Sequence, residues 1–212
     1  MPKIIGESLA SHRELTRTRL FEALGSLMAE QAFESITMSQ IAERAGVGRT
    51  AVYNHFADKE VLLLAYMRQV TEEFTRVLTA RLESEPDPLM RLRIYIRAHL
   101  QMISRYHVKA GTGLRRQMSG QGASHLHDHA GIVGELLIGI LDEAMERGLI
   151  VEQNTLGAVH LIHATLQGQR LPKDPAHRES ALLLVETFIL RGLGASEENV
   201  HQVTASSLAL GE

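Results

Sequence analysis

The stretch TMSQIAERAGVGRTAVYNHF, residues 37–56, places two short helical patterns on either side of a glycine-containing turn. Thr37 and Gln40 have the spacing of a capping box, in which each side chain satisfies a free backbone N–H near the other. Ile41, Ala42 and Ala45 give the first pattern an apolar side, and Gly46 ends it with the positive φ that a helix C-cap favours. The second pattern runs from about Arg49 to Phe56. At roughly 100° per residue, Val52 and Phe56 share one side with Ala51, while Arg49, Thr50, Tyr53 and Asn54 share the other.

Outward from this stretch the helical period continues. Leu20, Phe21, Leu24, Leu27 and Met28 form a stripe that predicts a leading helix over about 11–31. Asp58 is placed to cap a further helix through Leu62, Leu63, Tyr66, Val70, Phe74, Val77 and Leu78 to about Leu82. SEPDP, residues 84–88, breaks it, because prolines so spaced cannot continue a helix. Helices are then expected at about 88–104, 107–118, 124–147, 153–168 and 175–192, with Gly148 and LPKDP (171–175) as punctuation. The last twenty or so residues read as a short final helix or a frayed tail. No stretch alternates as a strand does, so the fold class is all-α.

The 212 residues suffice for a small domain joined to a larger one, and 44% hydrophobic content excludes a disordered chain. No apolar run is long enough to cross a bilayer, no signal-peptide pattern opens the chain, and there is no cysteine for disulfides or thiolate metal sites. A cytoplasmic protein without a membrane partner is expected. Net charge is −3, and within residues 1–68 eight basic side chains face eight acidic ones. Overall balance therefore argues for no polyanionic partner; only the placement of charge can.

Two short helices joined by a Gly-containing turn, the second with a polar outer face, describe a helix-turn-helix. A major groove admits one such helix, and Arg49 and Thr50 stand at the N-terminal end that meets base edges in this motif. An Arg there can take guanine O6 and N7 together, and Asn54 can pair with adenine or reach a phosphate. Thr37, Ser39 and the first N–H groups of their helix suit phosphates, as does Lys59 at the start of the following helix. The same pattern also serves as ordinary packing in all-α proteins, so pattern alone leaves both readings open.

Residues 37–67, TMSQIAERAGVGRTAVYNHFADKEVLLLAYM, resemble the DNA-binding signature of the TetR family of bacterial transcriptional regulators. The matching elements are Thr37, Ile41-Ala42, Ala45-Gly46-Val47, Tyr53, His55-Phe56, Lys59-Glu60 and Leu62, preceded by a helix ending in FESIT. The resemblance implies a three-helix DNA-binding domain over 1–59 and a helical effector-binding and dimerisation domain over 60–212. It implies phosphate contacts for Tyr53, His55 and Lys59, and a groove-facing role for Arg49, Thr50 and Asn54. Gly48 departs from it, standing where a side-chain cap is common; glycine caps through its backbone at a cost of about a few tenths of a kcal/mol.

By the same resemblance the chain is a homodimeric, ligand-responsive repressor that binds a (pseudo)palindromic operator and is released by a small molecule. The helices near 153–168 and 175–192 would pair with their copies through Leu161, Ile162, Thr165, Leu183 and Phe188. Their sequences LGAVHLIHATLQG and ALLLVETFILRGL are apolar on more than one side, as a helix with a second face to bury must be. Expected pocket residues are Tyr66, Val70, Tyr95, His99, Met102, Leu114, Met118, His129, Val133 and Leu137. No cofactor is implied. Nine of eleven histidines lie from His99 onward; His125 and His129 share a helical face, as do His160 and His163. A metal-responsive regulator is therefore the alternative, against a polar helix start, and an enzyme on a helical scaffold lacks any recognisable nucleophile–base pair.

Overall fold

The computed structural model describes residues 3–106, 120–172 and 174–206. Among them are nine α-helices and no strand. They are α1 (Lys3–Glu30), α2 (Met38–Ala45), α3 (Arg49–His55), α4 (Lys59–Glu83), α5 (Pro88–Tyr106), α6 (Gly120–Glu146), α7 (Thr155–Gln167), α8 (Pro175–Gly192) and α9 (Glu197–Ala205). A 3-10 turn, Phe33–Ser35, links α1 to α2. The first helix begins well before residue 11, and the weakly patterned C-terminal stretch contributes α9. The helix expected at 107–118 lies outside the described residues.

Short polar side chains start most of these helices. Asp58 accepts from the N–H groups of Glu60 and Val61 at 2.9 and 2.8 Å. Asp87, Asn154, Asp174 and Ser196 do the same for α5, α7, α8 and α9. Each such cap contributes about 0.5–2 kcal/mol by answering a donor the helix leaves free.

Two apolar cores result. Leu20, Leu24, Ile41, Val52, Leu62 and Leu63 are buried in the first, formed by α1–α4. The second gathers Leu78, Leu92, Tyr95, Leu137, Ile162 and Leu190 from α4 to α8, with α9 closing it through Val200 and Val203. Helix α4 belongs to both: Leu62, Leu63, Tyr66 and Val70 pack in the first core, Phe74, Leu78 and Leu82 in the second. The expected division at 59/60 falls at the first turn of α4, whereas the change of core comes between Val70 and Phe74.

Charge also lies inside. Residues 92–100 of α5 are all buried, Arg93, Arg97 and His99 included. Arg93 Nε donates to Glu186 Oε2 at 2.8 Å, and its Nη1 donates to the carbonyls of Val203 and Ser206, both at 2.6 Å. Arg97 Nε donates to the other Glu186 oxygen, and its two Nη atoms grip Glu179 at 3.0 and 2.5 Å. The Arg97 guanidinium holds the Glu179 carboxyl below the usual carboxylate range. Two guanidiniums and two carboxylates thus tie α5 to α8 and to the end of α9. Removing one partner of a buried ion pair costs about 3–5 kcal/mol, because the other charge is left uncompensated. Glu186→Gln is therefore expected to lower unfolding free energy by about that amount in urea titration. A loss below about 1 kcal/mol would show that the network is not held in solution.

Candidate nucleic-acid interface

The helix-turn-helix is built as its residues require. Thr37 Oγ accepts from the Gln40 N–H at 3.3 Å while Gln40 Oε1 accepts from the Thr37 N–H at 2.8 Å, closing the capping box. The Thr37 hydroxyl itself donates to Gln40 Oε1 at 3.0 Å, so capping is its occupation here. Gly46 ends α2 at φ 65° and ψ 33°, its N–H directed to the carbonyls of Ala42 and Glu43. A side chain would be strained in that left-handed conformation. Gly48, extended at φ −66° and ψ 146°, starts α3 with its carbonyl alone, accepting from Ala51 and Val52 at 2.9 and 3.3 Å.

One face of α3 is fastened. Val52 is fully buried, and the Phe56 ring lies 5.7 Å from that of Phe21 on α1. The other face is open: Arg49, Thr50 and Asn54 are exposed, and Tyr53 is 55% exposed. Arg49 Nη2 donates to Ser39 Oγ, so two expected site residues meet across the turn. His55 is half-buried, and burial, then the charges of Arg13 and Arg17, lower its pKa. Arg13 and Arg17 were absent from the expected site; their place beside α3 depends on how α1 crosses it, which local pattern does not reveal.

Lys59 is engaged within the domain. Its ammonium donates to the carbonyls of Phe33, Glu34 and Ile36 at 3.2, 2.9 and 3.0 Å and lies 4.9 Å over the Phe33 ring. All three hydrogens are taken, and the residue pins the α1–α2 turn to α4. Arg44 is likewise engaged within the domain, bidentate to Glu30 at 2.8 Å and bonded to Ser26. Among the described cations, Arg49, with Arg13 and Arg17 nearby, marks the α3 side.

A family model described as bacterial regulatory proteins, tetR family, matches residues 20–66, the span from α1 into α4. Residues 20–66 thus carry the DNA-binding domain of the TetR family. An uncharacterized HTH-type transcriptional regulator of Mycobacterium tuberculosis is 30% identical over 94 residues, covering 44% of this chain and 46% of that one. The matched region thus spans about half the length of such curated relatives. Among solved structures, the fatty acid degradation regulator FadR of Bacillus halodurans has a TM-score of 0.70 at 19% identity, covering 85% of this chain and 97% of that one. AibR, solved with isovaleryl coenzyme A and operator DNA, has a TM-score of 0.71 at 17% identity, covering 82% and 97%. At such identities these two likenesses show the fold alone.

The expected effector residues separate. Tyr66 and Val70 lie in the first core, away from the others; the Tyr66 ring is 5.8 Å from Phe21. A Cβ on Gly25 would come within 2.8 Å of the Tyr66 hydroxyl, so glycine is what lets the two helices approach. Tyr95, Val133 and Leu137 join the second core, with His99 buried beside Tyr95, and Met102 packs against both cores. His163, expected from sequence only as a helical-face partner of His160, joins Tyr95 through a 2.7 Å hydrogen bond to its hydroxyl. Leu114 and Met118 lie outside the described residues, as do the side chains of His125 and His129. His160 is exposed whereas His163 is half-buried, and no group of three or more metal-binding side chains is assembled among the described residues.

Of the expected dimer residues, Leu161 is 72% and Phe188 64% exposed; Leu183 and Thr165 are half-buried. Ile162 is corrected: at 3% exposure it faces the second core, one residue and about 100° of turn from Leu161. Leu184, 71% exposed, and Leu156 complete the outward apolar set on α7 and α8. Among the described residues no helix is long and apolar enough to cross a membrane. Lys59→Met should lower unfolding free energy by about 1–3 kcal/mol in DNA-free protein, since partly buried carbonyls lose a charged donor. Unchanged stability in urea titration would return Lys59 to a phosphate-contact role.

Proposed function

We propose that the chain is a homodimeric, ligand-responsive transcriptional repressor. Helix α3 reads a (pseudo)palindromic operator in the major groove, and a small molecule bound in the second core releases it. The observation that carries this reading is the division of α3 into a fastened face and an open one. Val52 and Phe56 remove its freedom to roll, and Arg49, Thr50, Tyr53 and Asn54 face outward. Arg49 is the base-reading residue; Tyr53 and His55 are phosphate contacts, with Thr37 and Ser39 positioning the start of α2. AibR, of the same fold, was solved with operator DNA and an acyl coenzyme A ligand together, which supports two sites on one such scaffold.

Dimerisation is supported by the exposed apolar set Leu156, Leu161, Leu184 and Phe188 on α7 and α8. Large apolar side chains clustered on adjacent helices mark an interaction surface more often than a solvated one. A twofold pair of chains presents two α3 helices to half-sites about one helical turn apart. The protein acts in the cytoplasm, performs no catalysis and uses no cofactor.

Arg49→Ala is expected to weaken specific operator binding by about 1–3 kcal/mol, concentrated at one base pair of each half-site. Equal weakening on operator and random duplexes, measured by titration at fixed salt, would remove its base-reading role. Phe188→Glu together with Leu161→Glu should give a folded monomer in sedimentation analysis, because charged groups placed in an apolar interface are desolvated without partners. A persistent dimer would move the interface elsewhere.

A further inference from the structure

The second core holds a buried imidazole nitrogen that its described surroundings leave unanswered. His99 is 8% exposed, and its Nδ1 has no hydrogen-bond partner among the described residues. A buried polar atom left unpaired costs about 1–3 kcal/mol, and native cores keep few of them. Rings surround it. Tyr95, one turn earlier on α5, stacks at 5.8 Å between centroids with planes 27° apart. His163 of α7 stacks at 5.4 Å with planes 19° apart, and Phe74 of α4 meets His99 edge-on at 6.1 Å. Tyr95 and His163 satisfy each other through their 2.7 Å hydrogen bond, which leaves His99 as the atom awaiting a partner.

We propose that this ring cluster is the effector-recognition site, and that the effector is an uncharged hydroxylated aromatic, a phenol in the broad sense. Its ring joins the stack, and its hydroxyl pairs with His99 Nδ1. The inference rests on the reading of the chain as a ligand-responsive regulator.

Three features select that chemistry. The near-parallel rings favour a flat partner, since offset stacking contributes about 0.5–1.5 kcal/mol beyond the area buried. A neutral imidazole carries its proton on either nitrogen. A hydroxyl can donate or accept, so it fits His99 Nδ1 in both tautomers; an ether or carbonyl fits only one. Among the described residues the ring cluster also offers no net charge. Burial, with a smaller contribution from His163, drives His99 down to about 3, burial lowers His163, and burial pushes the Tyr95 phenol up. Three cations of the same helix are already matched, Arg91 by Glu143 and Arg93 and Arg97 by Glu186 and Glu179. A carboxylate or ammonium on the ligand would therefore be desolvated against neutral rings, which disfavours it.

The cluster also borders the parts that would respond. Phe74 lies on α4 one turn beyond Val70, which packs in the first core. Met102, on the same face of α5 as Tyr95 and His99, touches both cores, and its flexible thioether can yield room for a ligand.

The test uses the full-length protein and three probes of one ring size: phenol, benzoate and benzylammonium. In histidine side-chain 1H–15N correlation spectra, phenol is expected to shift the His99 resonances, and the two charged probes are not. Saturating phenol should weaken operator binding at least about fivefold, the lower end of usual allosteric coupling. His99→Leu should abolish the response to phenol while leaving ligand-free operator binding intact. His99→Asn, whose amide keeps a polar atom near the position of Nδ1, should retain it. An equal response to benzoate or benzylammonium would overturn selection for neutral ligands. Silence of the His99 resonances towards phenol would overturn the site and leave the regulator reading standing. Absence of any operator in genome-wide binding maps would overturn the regulator reading, while the spectra would still decide whether the rings bind phenol.

Discussion

Helix α4 is the constraint on which the arrangement depends. It is 25 residues long, and its N-terminal half is packed on α1–α3 while its C-terminal half is packed on α5 and α6. A helix transmits rotation and translation along its axis because bending it strains the hydrogen-bond ladder. The two cores are therefore joined through buried side chains one turn apart, Val70 and Phe74, on a single rigid element. Phe74 and Val70 share α4 with Tyr66, whose ring meets Phe21 of α1, and Phe21 in turn meets Phe56. The chain of contact from the second core to α3 is short and made of rings and aliphatic side chains. For a ligand to use it, the ligand must bind the two arrangements of α4 with different affinity.

The ion network fixes the other long helix. Glu186, drawn inward by Arg93 and Arg97, lies two residues from both Leu184 and Phe188, about 200° away around α8. Holding the carboxylate inside thus turns these two apolar side chains outward. A purely apolar inner face on α8 could roll by a fraction of a turn at little cost, because the helix carries aliphatic residues on several sides. Two guanidiniums converging on one carboxylate permit one rotation only. Buried ion pairs are weak sources of net stability, and conformational specificity of this kind is a better-attested use for them.

These same features show where local pattern ceases to inform. Thr37 with Gln40, Gly46, and the division of α3 between Val52–Phe56 and Arg49–Thr50–Tyr53–Asn54 are legible because each rests on neighbours within one or two turns. Arg93 and Arg97 carry no local sign of burial, because their partner Glu186 is 93 and 89 residues away. Leu161 and Ile162 are equally apolar, so composition cannot say which faces the core. Lys59 reads as a surface cation because the carbonyls that hold it, at Phe33, Glu34 and Ile36, are brought to it only when the α1–α2 turn folds over α4. His163 entered the sequence reading through its spacing from His160, while its actual partner, Tyr95, lies on another helix.

The balanced charge of the first 68 residues follows from this. Coulomb energy in water falls to about 1 kcal/mol per pair at 4 Å and is screened within about 8–10 Å at ordinary salt, so a polyanion feels the nearest cations and little of the domain's total. Arg44 is occupied by Glu30, Lys59 by three carbonyls and Arg68 by Glu72. Arg49, Arg13 and Arg17 lie beside α3, where burial first and then the charges of Arg13 and Arg17 lower the pKa of His55. A domain with no excess of positive charge is thereby weakly attracted to duplexes in general. On the proposed reading, preference for one duplex comes from the side chains of α3 itself, which favours discrimination between sequences over affinity for any of them.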